Sequence, residues 1–328
     1  MSAVETTTPA SAKPAHSLWA RIGAEFAGSL LICFAIYLMC TFGSAFYNVN
    51  LAFIALGTGC VYAAMTAIFA KVSGGQFNPV ITVAAMLTSK TGVLDGICYI
   101  VAQVVGAICA GGLLAFMLPT SETIQASQWY AMVVNGYDQG AILYQSLNQL
   151  GLTFGIATAI VVEVVASIIV VAAAMQSMKS DGAPTRSHTM VMGLAYAAAT
   201  AMAFPVTGAA INPIRATGIA IFAQGKGLGA EPLAQLWVFW VSAILAAAIV
   251  ALVIIVAQLL SSNKSPERKA ADADPAEAEM LEQEDMALDA DDTDIEEDVE
   301  VRGTVSASPE AAGSPSADEH EDGSVKEQ

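Results

Sequence analysis

Charge is scarce in this sequence. Only 13% of the 328 residues are Asp, Glu, Lys or Arg, while 55% are hydrophobic. A soluble domain carries nearer a quarter charged residues, so an ordinary soluble enzyme is excluded. The net charge of −17 belongs to one end of the chain. Residues 263–328 hold 22 acidic and five basic residues, which leaves eight of each sign in residues 1–262. The body is therefore neutral and the acidity describes the tail. Histidine is rare, at three residues. The five cysteines, Cys33, Cys40, Cys60, Cys98 and Cys109, lie in apolar stretches without metal-ligand spacing. An odd number placed in this way makes no disulfide framework, and they read as small packing residues. No nucleophile–base–oxyanion constellation, metal set or phosphate loop is present. No enzymatic activity, catalytic residue, metal, cofactor or nucleic-acid partner is expected.

What the chain has in quantity is long apolar runs. Ile22–Phe46, Leu51–Ala70, Gly96–Thr120, Gly151–Met178, Thr189–Pro205 and Leu233–Leu260 are each near or above the ~20 residues that cross a bilayer as helix. Among these six runs, only Glu25 and Glu163 are charged. Asn78–Thr88 and Asn212–Ala223 are also apolar, but at 11 and 12 residues they reach only about half way through. Basic residues set the orientation. With the N-terminus inside, Lys13, Arg21, Lys90, Lys179, Arg186, Lys264, Arg268 and Lys269 are cytoplasmic, and the outer loops hold only Arg215 and Lys226. The loop from Pro119 to Leu150 has no Lys or Arg. Residues 1–17 are polar. Residues 263–328, rich in Asp, Glu, Ala, Ser and Pro, lack the bulky apolar side chains that offset ordering entropy. Both read as disordered, the second as an acidic cytoplasmic tail whose partner is unknown.

The two short segments repeat one another. Ser73-Gly74-Gly75-Gln76-Phe77-Asn78-Pro79-Val80 and Thr207-Gly208-Ala209-Ala210-Ile211-Asn212-Pro213-Ile214 share the pattern hydroxyl-Gly-x-x-apolar-Asn-Pro-apolar. Glu25 precedes the first Asn by 53 residues and Glu163 the second by 49. The body, residues 18–262, thus divides into repeats at 18–118 and 150–262, each of three spans and a half-span. Three spans per repeat invert the second relative to the first. The expected fold is an all-α membrane protein with six transmembrane helices and two re-entrant half-helices. Asn is a favoured N-cap and Pro a favoured first helical residue, so each Asn-Pro starts a half-helix. Two such N-termini meeting near the midplane bring partial positive charge, which opposes cations and lets neutral molecules pass. The Asn side-chain amides can donate to a passing oxygen in this reading. Intramembrane carboxylates are functional suspects by default. Glu25 and Glu163 either couple transport to protons or accept hydrogen bonds from the re-entrant loops.

With these paired motifs the chain resembles the aquaporin (major intrinsic protein) family from about Ala20 to Leu260. Glu25-x-x-Gly28-Ser29, Gln103-x-x-Gly106-Ala107, Glu163, Thr207-Gly208 and Arg215-x-x-Gly218 carry the same resemblance. It implies a channel, and it favours the loop-supporting role for both carboxylates. It places Asn78, Pro79, Val80, Asn212, Pro213 and Ile214 at the pore midplane, although the family usually has Ala where Val80 and Ile214 stand. Gly59 and Gly193 fall where two family helices cross closely. Thr58, Thr200, Ala209 and Arg215 fall at the selectivity constriction, where small residues imply a wide opening. Ala216 replaces the Asp of glycerol facilitators, and Phe239-Trp240 is the aromatic pair of water-type members. Gln76 and Ile219 also depart from the usual pattern. If water passes and glycerol does not, the loop from Pro119 to Leu150, with Trp129 and Tyr130, is the first suspect for closing the pore. His16 and His188 read as cytoplasmic loop residues. The expected function is passive passage of water and small neutral solutes such as glycerol, with ions and protons excluded, in the plasma membrane and as a homotetramer. The competing readings are a proton-coupled secondary transporter using Glu25 or Glu163, and a non-conducting protein whose tail binds a partner.

Overall fold

In a computed structural model, residues 16–47 and 50–262 are described. The expected acidic tail at 263–328 and all but the end of the expected N-terminal tail lie outside the described residues. The first repeat contains α1 (Leu18–Leu38), α2 (Leu51–Ser73), α3 (Pro79–Leu87) and α4 (Val93–Met117). The second contains α5 (Ile156–Ser177), α6 (His188–Thr207), α7 (Pro213–Ala223) and α8 (Pro232–Ser262). Six helices are long and apolar enough to span a bilayer, the first running from Leu18 to Phe46. They match the six apolar runs, with ends shifted by up to five residues. The largest shift is in the fourth run, where Gly151–Gly155 stays outside the helix. His188 is no loop residue, because it opens α6 and is buried, with Nδ1 2.7 Å from Ser177 Oγ.

Packing follows the repeat. α1 lies against α2 and α4, as α5 lies against α6 and α8. Each half-helix packs on the last helix of both repeats, so α3 contacts α4 and α8 while α7 contacts α8 and α4. The repeats meet along α2 and α6, where Gly59 and Gly193 face each other. A Cβ on Gly59 would collide with the Gly193 carbonyl oxygen, so only glycine allows this approach. The outer surface carries many exposed large apolar side chains, among them Leu56, Ile68, Phe116, Leu194 and Leu252. That is the expected exterior of helices solvated by lipid, whose backbone groups are satisfied within each span.

α1 continues through one π-helical segment, Met39–Gly43, into a short turn, Ser44–Tyr47. Thr41 Oγ1 donates 2.7 Å to the Tyr37 carbonyl there. Single π turns inside α-helices often sit at functional sites, and this one carries Cys40 towards Arg215.

Candidate functional site

The site is built from two loops that return to the middle of the bundle. α2 and α6 end at Gly74 and Gly208, both left-handed, with φ of 92° and 73°. The loops then keep turning through residues that disfavour that conformation: Phe77 (φ 48°), Ala209 (φ 55°) and Ile211 (φ 48°). For a β-branched residue such as Ile211 this is a true outlier, and such positions persist only where surroundings enforce them.

The enforcing groups are the buried carboxylates. Glu25 Oε1 accepts from Ser73 Oγ at 2.6 Å and from the Gln76 N–H at 3.0 Å. Its Oε2 accepts from the Phe77 N–H at 2.7 Å and Gln103 Nε2 at 2.8 Å. Glu163 repeats the pattern. Oε1 accepts from Thr207 Oγ1 and from the Ala210 N–H at 2.9 Å, and Oε2 from the Ile211 N–H at 2.7 Å. Each carboxylate thus clamps two successive amides of its own loop.

Past the clamps, Asn78 and Asn212 start the half-helices. Asn78 Oδ1 accepts from the Val80 N–H at 3.1 Å, and Asn212 Oδ1 from the Ile214 N–H at 3.3 Å, with Pro79 and Pro213 opening each helix. Val80 and Ile214 are buried in the same apolar core, and α3 touches α7. The Asn amides also have protein partners. Asn212 Nδ2 donates to the Phe77 carbonyl at 2.8 Å and to Tyr62 Oη at 3.0 Å. Asn78 Nδ2 donates to Tyr196 Oη at 2.9 Å and to the Ile211 carbonyl at 3.4 Å. Each amide therefore spends both N–H groups on the other repeat. The tyrosines they bind are stacked face to face, with ring centroids 3.3 Å apart and planes 6° from parallel.

Thr58, Thr200, Ala209 and Arg215 line one cavity with Ile36, Phe204 and the two tyrosines. In the described state it encloses only about 10 Å³, room for about one water. Tyr62, Tyr196 and Phe204 share the lining, so the cavity is smaller than two Thr and an Ala alone would leave. Two buried polar atoms at these positions, Thr58 Oγ1 and Arg215 Nε, have no hydrogen-bond partner. Arg215 is otherwise held tightly. Nη1 donates to the Asn135 side chain at 2.8 Å and to the carbonyls of Gly208 and Ala209 at 2.9 and 2.8 Å, while Nη2 lies 3.9 Å from Cys40 Sγ. Tyr37 Oη donates to the Arg215 carbonyl at 2.6 Å.

Asn135, Tyr62 and Tyr196 were not singled out by the sequence reading. Asn135 lies in the loop between α4 and α5, where its amide also donates 3.1 Å to the Thr207 carbonyl. Trp129 and Tyr130 of the Pro119–Leu150 loop are buried and do not line this cavity. Trp129 packs edge-on against Phe42 at 5.3 Å and donates 2.8 Å to the Pro119 carbonyl. Gln76, a departure noted in sequence, donates through Nε2 to Thr91 Oγ1 at 2.7 Å, and Trp240 of the aromatic pair donates through Nε1 to Thr217 Oγ1 at 3.0 Å.

The family described as Major intrinsic protein matches residues 13–254. Aquaporin Z of Brucella melitensis is 27% identical over 231 residues, covering 70% of this chain and 93% of that protein. Aquaporin Z of Photorhabdus laumondii is 26% identical over 227 residues, covering 69% and 91%. The X-ray structure of the aquaglyceroporin from Plasmodium falciparum superposes with a TM-score of 0.54 at 16% identity, covering 72% of this chain and 94% of that one. That last likeness bears on the fold alone.

Proposed function

The chain belongs to the major intrinsic protein family, and from that premise we propose that it is a passive channel for water and small neutral solutes such as glycerol, closed to ions and protons. The observation that carries this reading is the meeting of two half-helix N-termini at the centre of the bundle, each capped by Asn and each donating to the other loop. Each N-terminus contributes about half a positive charge, and Arg215 adds a whole one beside the cavity. In a low-dielectric site such fields are felt strongly. They oppose a cation or hydronium and leave a neutral molecule unaffected.

Thr58, Thr200, Ala209 and Arg215 form the selectivity constriction in this reading, with the Thr58 hydroxyl and Arg215 Nε as unspent polar atoms for a solute oxygen. The carboxylates support the loops. With Glu25 accepting four hydrogen bonds and Glu163 three, all from protein groups, neither is placed to shuttle protons. This favours the channel over a proton-coupled transporter. The chain carries out no catalysis. Its basic residues favour cytoplasmic termini, and on the family likeness four copies assemble in the plasma membrane.

Stopped-flow light scattering on proteoliposomes tests the proposal. An impermeant osmolyte should drive shrinkage faster than in protein-free vesicles, and glycerol should allow re-swelling. Flux that requires a proton gradient would overturn it.

A further inference from the structure

We propose that the Tyr62–Tyr196 stack is the gate of this channel, shut in the described state, and that it opens when the rings part and hand the Asn78 and Asn212 amides to the permeating molecule. The proposal rests on the channel reading above and adds where and how that channel closes.

Four observations carry it. First, both rings line the same cavity as Thr58, Thr200 and Arg215, so they stand on the path and not in the lipid-facing wall. Both are almost wholly buried, at 2% and 1% exposure. Secondly, the hydroxyls occupy the donors that a permeant needs. All four N–H groups of the two Asn side chains are engaged, two on tyrosine hydroxyls and two on backbone carbonyls. A water reaching this level finds no Asn N–H group free until a tyrosine leaves. Thirdly, the stack is face to face. Aromatic quadrupoles favour offset or edge-on pairs with centroids 4.5–7 Å apart. At 3.3 Å and 6°, this pair is held by what ties its hydroxyls and by the helices that carry it. A gate needs such a balance, because an optimal stack would not part. Fourthly, the arrangement obeys the inverted repeat. Tyr62 and Tyr196 lie three residues beyond Gly59 and Gly193, which bring α2 and α6 into backbone contact. Each tyrosine bonds the Asn of the opposite repeat. A small slide or rotation of α2 against α6 at the glycine crossing would break the ring stack and both Asn ties together.

The gate follows the chemistry of the permeant. A water or a polyol hydroxyl replaces a phenol hydroxyl at the Asn amide, one neutral hydrogen bond for another, so the exchange is nearly balanced. An apolar molecule offers no such exchange.

Full-length protein in proteoliposomes, assayed by stopped-flow light scattering with sucrose and then glycerol, decides the question. Three proteins are compared at matched reconstitution: wild type, Tyr62→Val with Tyr196→Val, and Tyr62→Phe with Tyr196→Phe. The valine pair removes the plug and should raise water flux by up to about tenfold, the worth of the ring stack, since the hydrogen bonds to Asn are exchanged nearly evenly. The phenylalanine pair keeps the rings and cuts only the ties, so it should give a smaller rise. It also keeps the side-chain volume, and therefore decides the matter if the valine pair loses its monodisperse peak on size exclusion. If wild type conducts well and neither folded variant exceeds it, the gate is refuted and the channel stands. If neither wild type nor any folded variant exceeds protein-free vesicles, both readings fail.

Discussion

Asn135 and Arg215 are 80 residues apart in sequence and joined by a 2.8 Å hydrogen bond from the guanidinium to the carboxamide oxygen. The bond holds the Arg215 guanidinium beside the cavity from a loop, residues 119–150, that carries no Lys or Arg.

Asn135→Ala should therefore free one face of the guanidinium. Losing a charged hydrogen bond in a buried setting costs about 1–3 kcal/mol, so the melting temperature in detergent should fall. The ratio of glycerol to water flux should also change, because Arg215 is then less constrained beside the constriction. An unchanged ratio with an unchanged melt would show that the loop does not position Arg215.

Glu25→Gln and Glu163→Gln test the carboxylate clamps. An amide offers one acceptor in place of two and points a donor at loop N–H groups. Each change should cost about 2–3 kcal/mol and reduce the yield of folded protein. Whatever folds should conduct water at a rate independent of a proton gradient. Gradient-driven flux that disappears in Glu163→Gln would support the transporter instead.

Gly59→Ala puts a methyl group into the Gly193 carbonyl. Overpacking of this kind costs about 1–3 kcal/mol, read as a lower melt. Since Tyr62 is one turn away on the same helix, the change should also loosen the stack and raise flux in the fraction that folds. A stable variant with wild-type flux would mean that the crossing is looser than described.

Thr58→Phe with Thr200→His fills the cavity that these residues line with Arg215. Sterics should dominate, since one neutral hydrogen bond is worth only ~1 kcal/mol. Glycerol flux should fall much more than water flux. Equal reduction of both would place the selective step elsewhere.

Much of this was legible in the sequence. Six apolar runs gave six helices, because length and hydropathy alone decide whether a segment spans. The paired Asn-Pro motifs located both half-helices, because Asn caps and Pro starts wherever they occur together. The tyrosines were harder. Their signal is present, as Gly-x-x-Tyr-Ala-Ala-x-Thr-Ala occurs at 59–67 and again at 193–201, beginning 19 residues before each Asn. An aromatic within an apolar helix reads as packing, and only the glycine crossing reveals that the two rings meet. Asn135 had no readable signal. It lies in a loop without periodicity, and its importance comes from where the loop folds back.

The exchange of Asn bonds between repeats bears on how the chain is made. While only α1–α4 have emerged, the Asn78 amide has neither the Tyr196 hydroxyl nor the Ile211 carbonyl to donate to, and Tyr62 lacks Asn212. In hydrocarbon each unmatched polar group costs several kcal/mol. The first repeat should therefore stay open and hydrated at its centre until α6 and α7 arrive. A fragment ending near residue 150 should be far more open to protease and thiol reagents than the same residues in the whole protein. Biogenesis of this fold is then a closing of two halves, with no step at which the first half is finished alone.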